Sequence, residues 1–243
     1  MQYDFDLGFI FQEQYFRLLI SGFVTTVVLT FAALALAFCV GSLLTGLRLT
    51  GSRVADGFVV CYVAFHRNVP MVVHILFWYF GVLALLPRVL TDWLNDNNAE
   101  FVMALIAIGL VGSAYISEDL RSAVRSIPPG QTEASRALGL NYIRTLRRII
   151  LPQAFRIAIP PLVNQTVLIF KNTSLAMAIG VLELTAAGRE IENYTFKTFE
   201  IYVVITVFYL AFSLLIMWGG GALAERYSIV AREDKATAKA GAQ

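Results

Sequence analysis

The chain has 243 residues, of which 58% are hydrophobic and 15% charged, with a net charge of +2 and a mean hydropathy of +0.68. A soluble globular domain carries about 25% charged residues, so the composition excludes one and identifies an integral membrane protein. The charge balance is too small for a nucleic-acid partner, and Cys39 and Cys61 sit inside apolar runs as small packing residues, not as a disulfide scaffold.

The N-terminal segment 1–17 carries Asp4, Asp6 and Glu13 where a secretory leader has a basic region, so the apolar run that follows is expected to stay in the membrane. That run, 18–47, is long enough to cross a hydrocarbon core of about 30 Å at about 1.5 Å per residue. Thr50, Gly51 and Ser52 mark a turn. The next apolar stretch is cut by His66, Arg67, Asn68 and Pro70. Pro70 disfavours helix at Val69 and lacks a donor, which predicts a short helix, a break and a second span over 71–86. A polar connection over 87–100 leads to a third span, 101–120, with Glu118 and Asp119 near its far end. A fourth span covers 155–182, with a break expected at Pro160-Pro161 and a polar cluster at Lys171-Asn172-Thr173-Ser174. A second polar connection, 183–200, precedes a fifth span over 202–223, and the Ala-, Lys- and Asp-rich tail, 227–243, reads as disordered. The expected architecture is therefore all-α, with five transmembrane helices in one domain over 18–226.

Basic residues are sorted by side. Arg48, Arg53, Arg121, Arg125, Arg136, Arg144, Arg147, Arg148, Arg226, Arg232, Lys235 and Lys239 fall in one set of connections. Only Arg17, Arg88, Arg189 and Lys197 fall in the other. The positive-inside rule then places the N-terminus outside, the C-terminus in the cytoplasm, and the loop 130–152 on the cytoplasmic side.

Within that loop, Pro128-Pro129-Gly130 ends the preceding segment, Thr132 can cap a short helix and Glu133 complements its dipole. Gly139 suits a left-handed stop, and Asn141 can cap a second helix ending before Pro152. Tyr142, Leu146, Ile149 and Ile150 share one face of that helix, and Arg144, Arg147 and Arg148 another. Such a pair either docks a partner protein or lies among anionic lipid headgroups.

The spacing Glu133-Ala134-Ser135, three residues, Gly139, nine residues, Ile149, one residue, Leu151-Pro152 closely resembles the EAA signature of bacterial ABC importer permeases, with Ser135 in place of the second alanine. Segments 66–70, 115–118, 126–131 and 171–174 extend the resemblance over nearly the whole chain, to the polar amino acid branch and in particular to glutamate/aspartate permease subunits. The resemblance implies the type I ABC importer permease fold in a bacterial inner membrane. It also implies a coupling role for Glu133, Ala134, Ser135, Gly139, Ile149, Leu151 and Pro152 in a groove of an ATP-binding cassette ATPase dimer. The further partners it implies are a second permease subunit, identical or merely similar, and a periplasmic or lipid-anchored amino acid binding protein. ATP and magnesium belong to the ATPase; no cofactor is expected on this chain, which has no GxxxxGK[ST] phosphate loop. Many relatives for other polar amino acids have Asp beside the lysine. The Asn172 found here fits an anionic substrate.

Residue chemistry alone gives a weaker indication of the site. Intramembrane ionisable residues line pathways or find partners, which makes Lys171, Asn172 and Thr173, with Arg67, Asn68, Ser117 and Glu118, the candidate substrate-binding residues. The alternatives are that Lys171 pairs with Glu118 or snorkels, that Asn172 and Thr173 join helices by hydrogen bonds, and that Arg67 and Asn68 anchor an interface. His66, His74 and Glu118 lack metal-ligand spacing. Permeases for glutamine, histidine or arginine, and a non-transporting anchor or sensor, are the competing functions.

Overall fold

A computed structural model describes residues 5–227. Among these residues, three helices are long and apolar enough to cross a membrane, namely α1 (Glu13–Leu49), α6 (Ala99–Arg125) and α11 (Thr198–Tyr227). Two bent pairs complete a set of five if each counts as one span. The first joins α2 (Arg53–Asn68) to the stretch Met71–Leu85, which ends in the short α4 (Leu83–Leu85), at 106°, and the second joins Tyr142–Ile179 to α10 (Leu184–Thr195) at 49°. No strand occurs among the described residues. The 227–243 tail lies, but for Tyr227, outside them.

α6 is the centre of the bundle. α1 packs along it, with α2, α3 (Met71–Leu76) and α9 (Leu151–Asn172) around it, while α11 leans on α9 and α10. Small residues permit the close approach. Ala33, Ala37 and Gly41 recur every four residues on the buried face of α1, and a Cβ added at Gly41 would lie 2.9 Å from both the Ser113 carbonyl oxygen and Ile116 Cγ2 of α6. Lipid offers apolar side chains no hydrophobic gain over one another, so this tight van der Waals seam drives the pairing. The core is completed by Leu29, Ile75, Met103, Ile108, Ile116 and Ile169.

The break at Val69-Pro70 is present as the proline demands, with Val69 at φ −96°, ψ 133°. Four features differ from the sequence expectation. First, α9 runs without interruption through Pro160 and Pro161; prolines lose two donors, yet a helix held by neighbours inside a bundle keeps its path. Second, the second loop helix does not end before Pro152. α8 (Tyr142–Thr145) passes through a π-helical turn, Leu146–Ile150, directly into α9, and Pro152 stands just past that turn, where the helical register changes from π to α. Third, Thr132 is not a cap: α7 (Pro129–Ala137) begins at Pro129, three residues earlier, its φ pre-set for helix. Fourth, both polar connections are helical. α5 (Arg88–Asp96) occupies one, and α10 fills the other with Leu184, Ala187, Gly188 and Ile191 buried at helical spacing.

Candidate functional site

Two parts of the molecule hold groups of candidate residues, a polar cavity between α1, α2 and α6, and the 130–152 loop.

The cavity measures about 430 Å³ and is lined by Arg48, Val60, Val63, Ala64, Arg67, Asn68, Tyr115, Glu118 and Arg121. The α2–α3 break places Arg67 and Asn68 at the free end of α2. There the Arg67 guanidinium lies 5.0 Å from the Tyr115 ring centroid, a cation–π distance, and Asn68 donates back to the Ala64 carbonyl at 2.7 Å. Glu118 is held by two guanidiniums: Arg48 donates to Oε1 in a short contact, and Arg121 Nη1 lies 3.5 Å from Oε2. Arg48 comes from the last turn of α1 and its side chain is only 5% exposed. Its Nε faces Asp56 Oδ1 of α2 at 3.3 Å, an ion pair lacking hydrogen-bond direction. The wall thus carries three guanidiniums and one carboxylate, with Asp56 behind Arg48.

Not all the candidate residues meet here. Arg67, Asn68 and Glu118 do. Ser117, though adjacent in sequence, points the other way: it is fully buried, its carbonyl accepts from Thr45 Oγ1 at 3.2 Å, and its own hydroxyl has no protein partner. Lys171 does not pair with Glu118, which the two arginines occupy. It stands exposed in the last turn of α9, where a cation complements the helix dipole. Asn172 is half-buried beside it, and Thr173 is buried, donating to the Phe170 carbonyl at 2.7 Å. Ile157, Pro160, Asn164, Leu168 and Lys171 form one exposed stripe on α9 at three- and four-residue spacing. Arg48, Tyr115 and Arg121 are wall residues that sequence reasoning passed over. Arg48 was visible only as a charge at a span end, and nothing in a linear sequence distinguishes a buried terminal arginine from a solvated one.

The loop is a helix–turn–helix. α7 ends in a Schellman arrangement, in which Leu140 N–H donates to the Ser135 carbonyl at 3.1 Å and Gly139 N–H to that of Arg136 at 2.9 Å. Gly139 adopts φ +77°, as a left-handed stop requires. Ser135 is buried, donating to the Gln131 carbonyl at 2.6 Å, so a hydroxyl in the usual alanine place is accommodated without an orphan. Asn141 Oδ1 caps α8 by accepting from Arg144 N–H at 2.9 Å. Ile150 is buried against Ala123, Ile127 and Ala154, which fixes the loop to the end of α6. Glu133 and Ala134 face outward with Leu138 (80% exposed) and Ile143 (71%), an apolar pair among exposed arginines.

Residues 45–229 match the family model described as binding-protein-dependent transport system inner membrane component. The chain belongs to this family. Among curated relatives, the glutamate/aspartate import permease protein GltJ of Escherichia coli is 32% identical over 81% of this chain and 82% of its own length. The glutamine transport system permease protein GlnP of Escherichia coli is 38% identical over 82% and 88%, and the glutamate transport system permease protein GluC of Corynebacterium glutamicum 34% over 87% and 94%. Among solved structures, a chain of an amino acid ABC transporter crystallised with histidines superposes with a TM-score of 0.81 at 26% identity, covering 93% of this chain and 100% of that one. A MetNI methionine transporter chain, at 20% identity and TM-score 0.68, shows the same fold. The family's members are inner-membrane components, and this one is a multi-pass helical permease of the ABC importer type.

Proposed function

We propose that this permease, a member of the polar amino acid branch of ABC importers, carries an acidic amino acid, glutamate or aspartate, by alternating access. The observation that carries this reading is the wall of the 430 Å³ cavity, where Arg48, Arg67 and Arg121 outnumber Glu118. Guanidiniums offer paired donors to carboxylates, and an acidic amino acid brings two carboxylates and one ammonium. In this reading Arg67 and Asn68 take a carboxylate, and Glu118 takes the ammonium when its arginines release it. Lys171 and Asn172 act at the other end of the path, on the exposed stripe of α9, which a second permease subunit covers. The relatives GltJ and GluC support the acidic choice; GlnP supports a neutral polar one.

The N-terminus lies outside and the 130–152 loop in the cytoplasm, where Leu138, Ile143 and the exposed face of α7 enter the groove of an ATPase. That subunit holds ATP and magnesium, and an external binding protein delivers the substrate. Gly139 is the sensitive point of the loop, because an L-residue at φ +77° costs roughly 1–2 kcal/mol. In vesicles containing the complete transporter, glutamate and aspartate are expected to compete with labelled uptake where glutamine and arginine do not. Stronger competition by glutamine or arginine overturns the acidic assignment. Gly139→Leu is expected to uncouple ATP hydrolysis from uptake with the protein still in the membrane, and full coupling in that variant overturns the docking assignment.

A further inference from the structure

α8 is tied to the membrane bundle by a hydrogen bond that spans 93 positions in sequence: Tyr142 Oη donates to the Leu49 carbonyl at 2.9 Å. Leu49 is the last residue of α1, and the final carbonyls of a helix lack intrahelical partners, so the acceptor is free for this use. The preceding residue is Arg48, whose buried side chain grips Glu118 of α6 and faces Asp56 of α2. The loop and the charged wall of the cavity are therefore separated by one hydrogen bond and one peptide unit.

The packing around this link is open. An apolar cavity of about 420 Å³ lies between α1 and the loop, lined by Phe38, Gly46, Leu49, Leu146, Leu151 and Phe155. Close-packed side chains pass displacement on, whereas an outward-open groove, with Phe38, Leu151 and Phe155 exposed along it, offers few contacts to do so. On the α6 side the loop is packed through Ile150, but toward α1 the Tyr142 hydroxyl is the stiff connection.

We infer that Tyr142 and Arg48 are positioning residues of a mechanical relay, which converts movement of the 130–152 loop into movement of the Glu118 carboxylate within the candidate site. The inference rests on the reading that the loop docks an ATPase. When the loop is displaced, the end of α1 follows Tyr142, Arg48 shifts with it, and its hold on Glu118 and Asp56 changes. Glu118 is thereby offered to or withdrawn from the cavity in step with the ATPase.

The test is a double-mutant cycle in the reconstituted transporter, with permease pair, ATPase and binding protein present, reading substrate imported per ATP hydrolysed. Tyr142→Phe keeps the ring and removes one hydrogen bond. It is expected to lower that ratio about two- to tenfold, the range for one net hydrogen bond. Arg48→Lys keeps the charge but loses the guanidinium fork, and should lower the ratio by a similar factor. The double variant should be no worse than the worse single variant, because both act on one path. Multiplying effects, an unchanged ratio in Tyr142→Phe, or loss of ATPase co-purification from Tyr142→Phe would each overturn the relay; the last would place Tyr142 in the docking surface itself. Gly139→Leu separates the two ideas. If it uncouples while Tyr142→Phe does not, only the relay fails, and if it leaves coupling intact, the docking reading fails.

Discussion

Glu118 and Glu183 are two acids within one helical bundle, and the chain accommodates them in opposite ways. Glu183 is fully buried and none of the ion pairs among the described residues includes it. Its Oε1 accepts from Ala186 N–H at 2.8 Å, and its Oε2 from Thr185 N–H at 2.9 Å and Tyr209 Oη at 2.8 Å. Thr26 Oγ1 of α1 lies 3.5 Å away and itself accepts from Leu184 N–H at 3.0 Å. The carboxylate caps α10 and fastens it to α1 and α11 with neutral donors alone. Glu118 is instead balanced by guanidiniums at the edge of an open cavity. A buried acid ringed by neutral donors cannot leave without orphaning donors among them. Glu118 keeps its carboxylate at a half-open wall, where two guanidiniums, Asp56 beside one of them, and water can take over one another's partners. The first arrangement suits a fixed anchor, and the second a site that changes hands during transport.

Removing each acid is the direct way to break the comparison, and the anchor should respond most. Glu183→Leu leaves two backbone N–H groups without an acceptor and leaves the Tyr209 hydroxyl with Thr185 Oγ1 alone, a loss of about 2–4 kcal/mol. It is expected to melt well below the parent protein in detergent, with Glu183→Gln between the two because one accepting oxygen remains. If Glu183→Leu melts with the parent, the anchor is not one. Glu118→Gln should show the reverse pattern: a smaller loss of stability than Glu183→Leu, because Asp56 still faces Arg48, with uptake reduced about tenfold, equivalent to roughly 1.4 kcal/mol. A large fall in melting temperature with normal uptake would make Glu118 structural and remove the contrast.

The contrast was only half legible in the sequence. α1, α6 and α11 follow from apolar runs because hydropathy reports on lipid contact, and the Gly139 stop and Asn141 cap follow from local backbone chemistry. Glu183 sat in what read as a polar connection, since two of its four donors, Thr26 and Tyr209, reach it only after α1, α10 and α11 have packed. Arg48 and Tyr142 were hidden for the same reason. Charge sorting counts a terminal arginine equally whether it is solvated or inserted between Glu118 and Asp56. A helix-face pattern groups Tyr142 with the apolar residues and says nothing of where its hydroxyl lands. The double proline misled in the other direction, because the local cost of Pro160 and Pro161 is certain while the restraint imposed by neighbouring helices is invisible in one dimension.

A third acid marks the weak limit of the comparison. Asp6 is exposed, accepts a short contact from the Lys197 ammonium and a 2.6 Å hydrogen bond from Gly8 N–H, and so links the N-terminal segment to the turn before α11. The lysine first, then the Gly8 amide, holds its carboxyl below the ordinary value of 3.8. A carboxyl depressed on folding contributes stability that is complete above its unfolded value and disappears as pH falls through the folded one. The link should therefore hold at pH 5 and open only as pH falls below 3.8 through the depressed folded value, and added salt should weaken it at any pH at which the carboxyl is ionised, because mobile ions screen an exposed pair. Amide exchange at Gly8 is the sensitive readout, because global melting will barely register a fully exposed pair. Asp6→Asn should make that exchange independent of both acid and salt, apart from its intrinsic pH dependence. If the parent's Gly8 protection survives acid and salt unchanged, the segment is held by the Phe9 and Leu19 packing and by the Asp6 N–H on Glu200, and the Asp6–Lys197 pair has no part in fixing that end of the molecule.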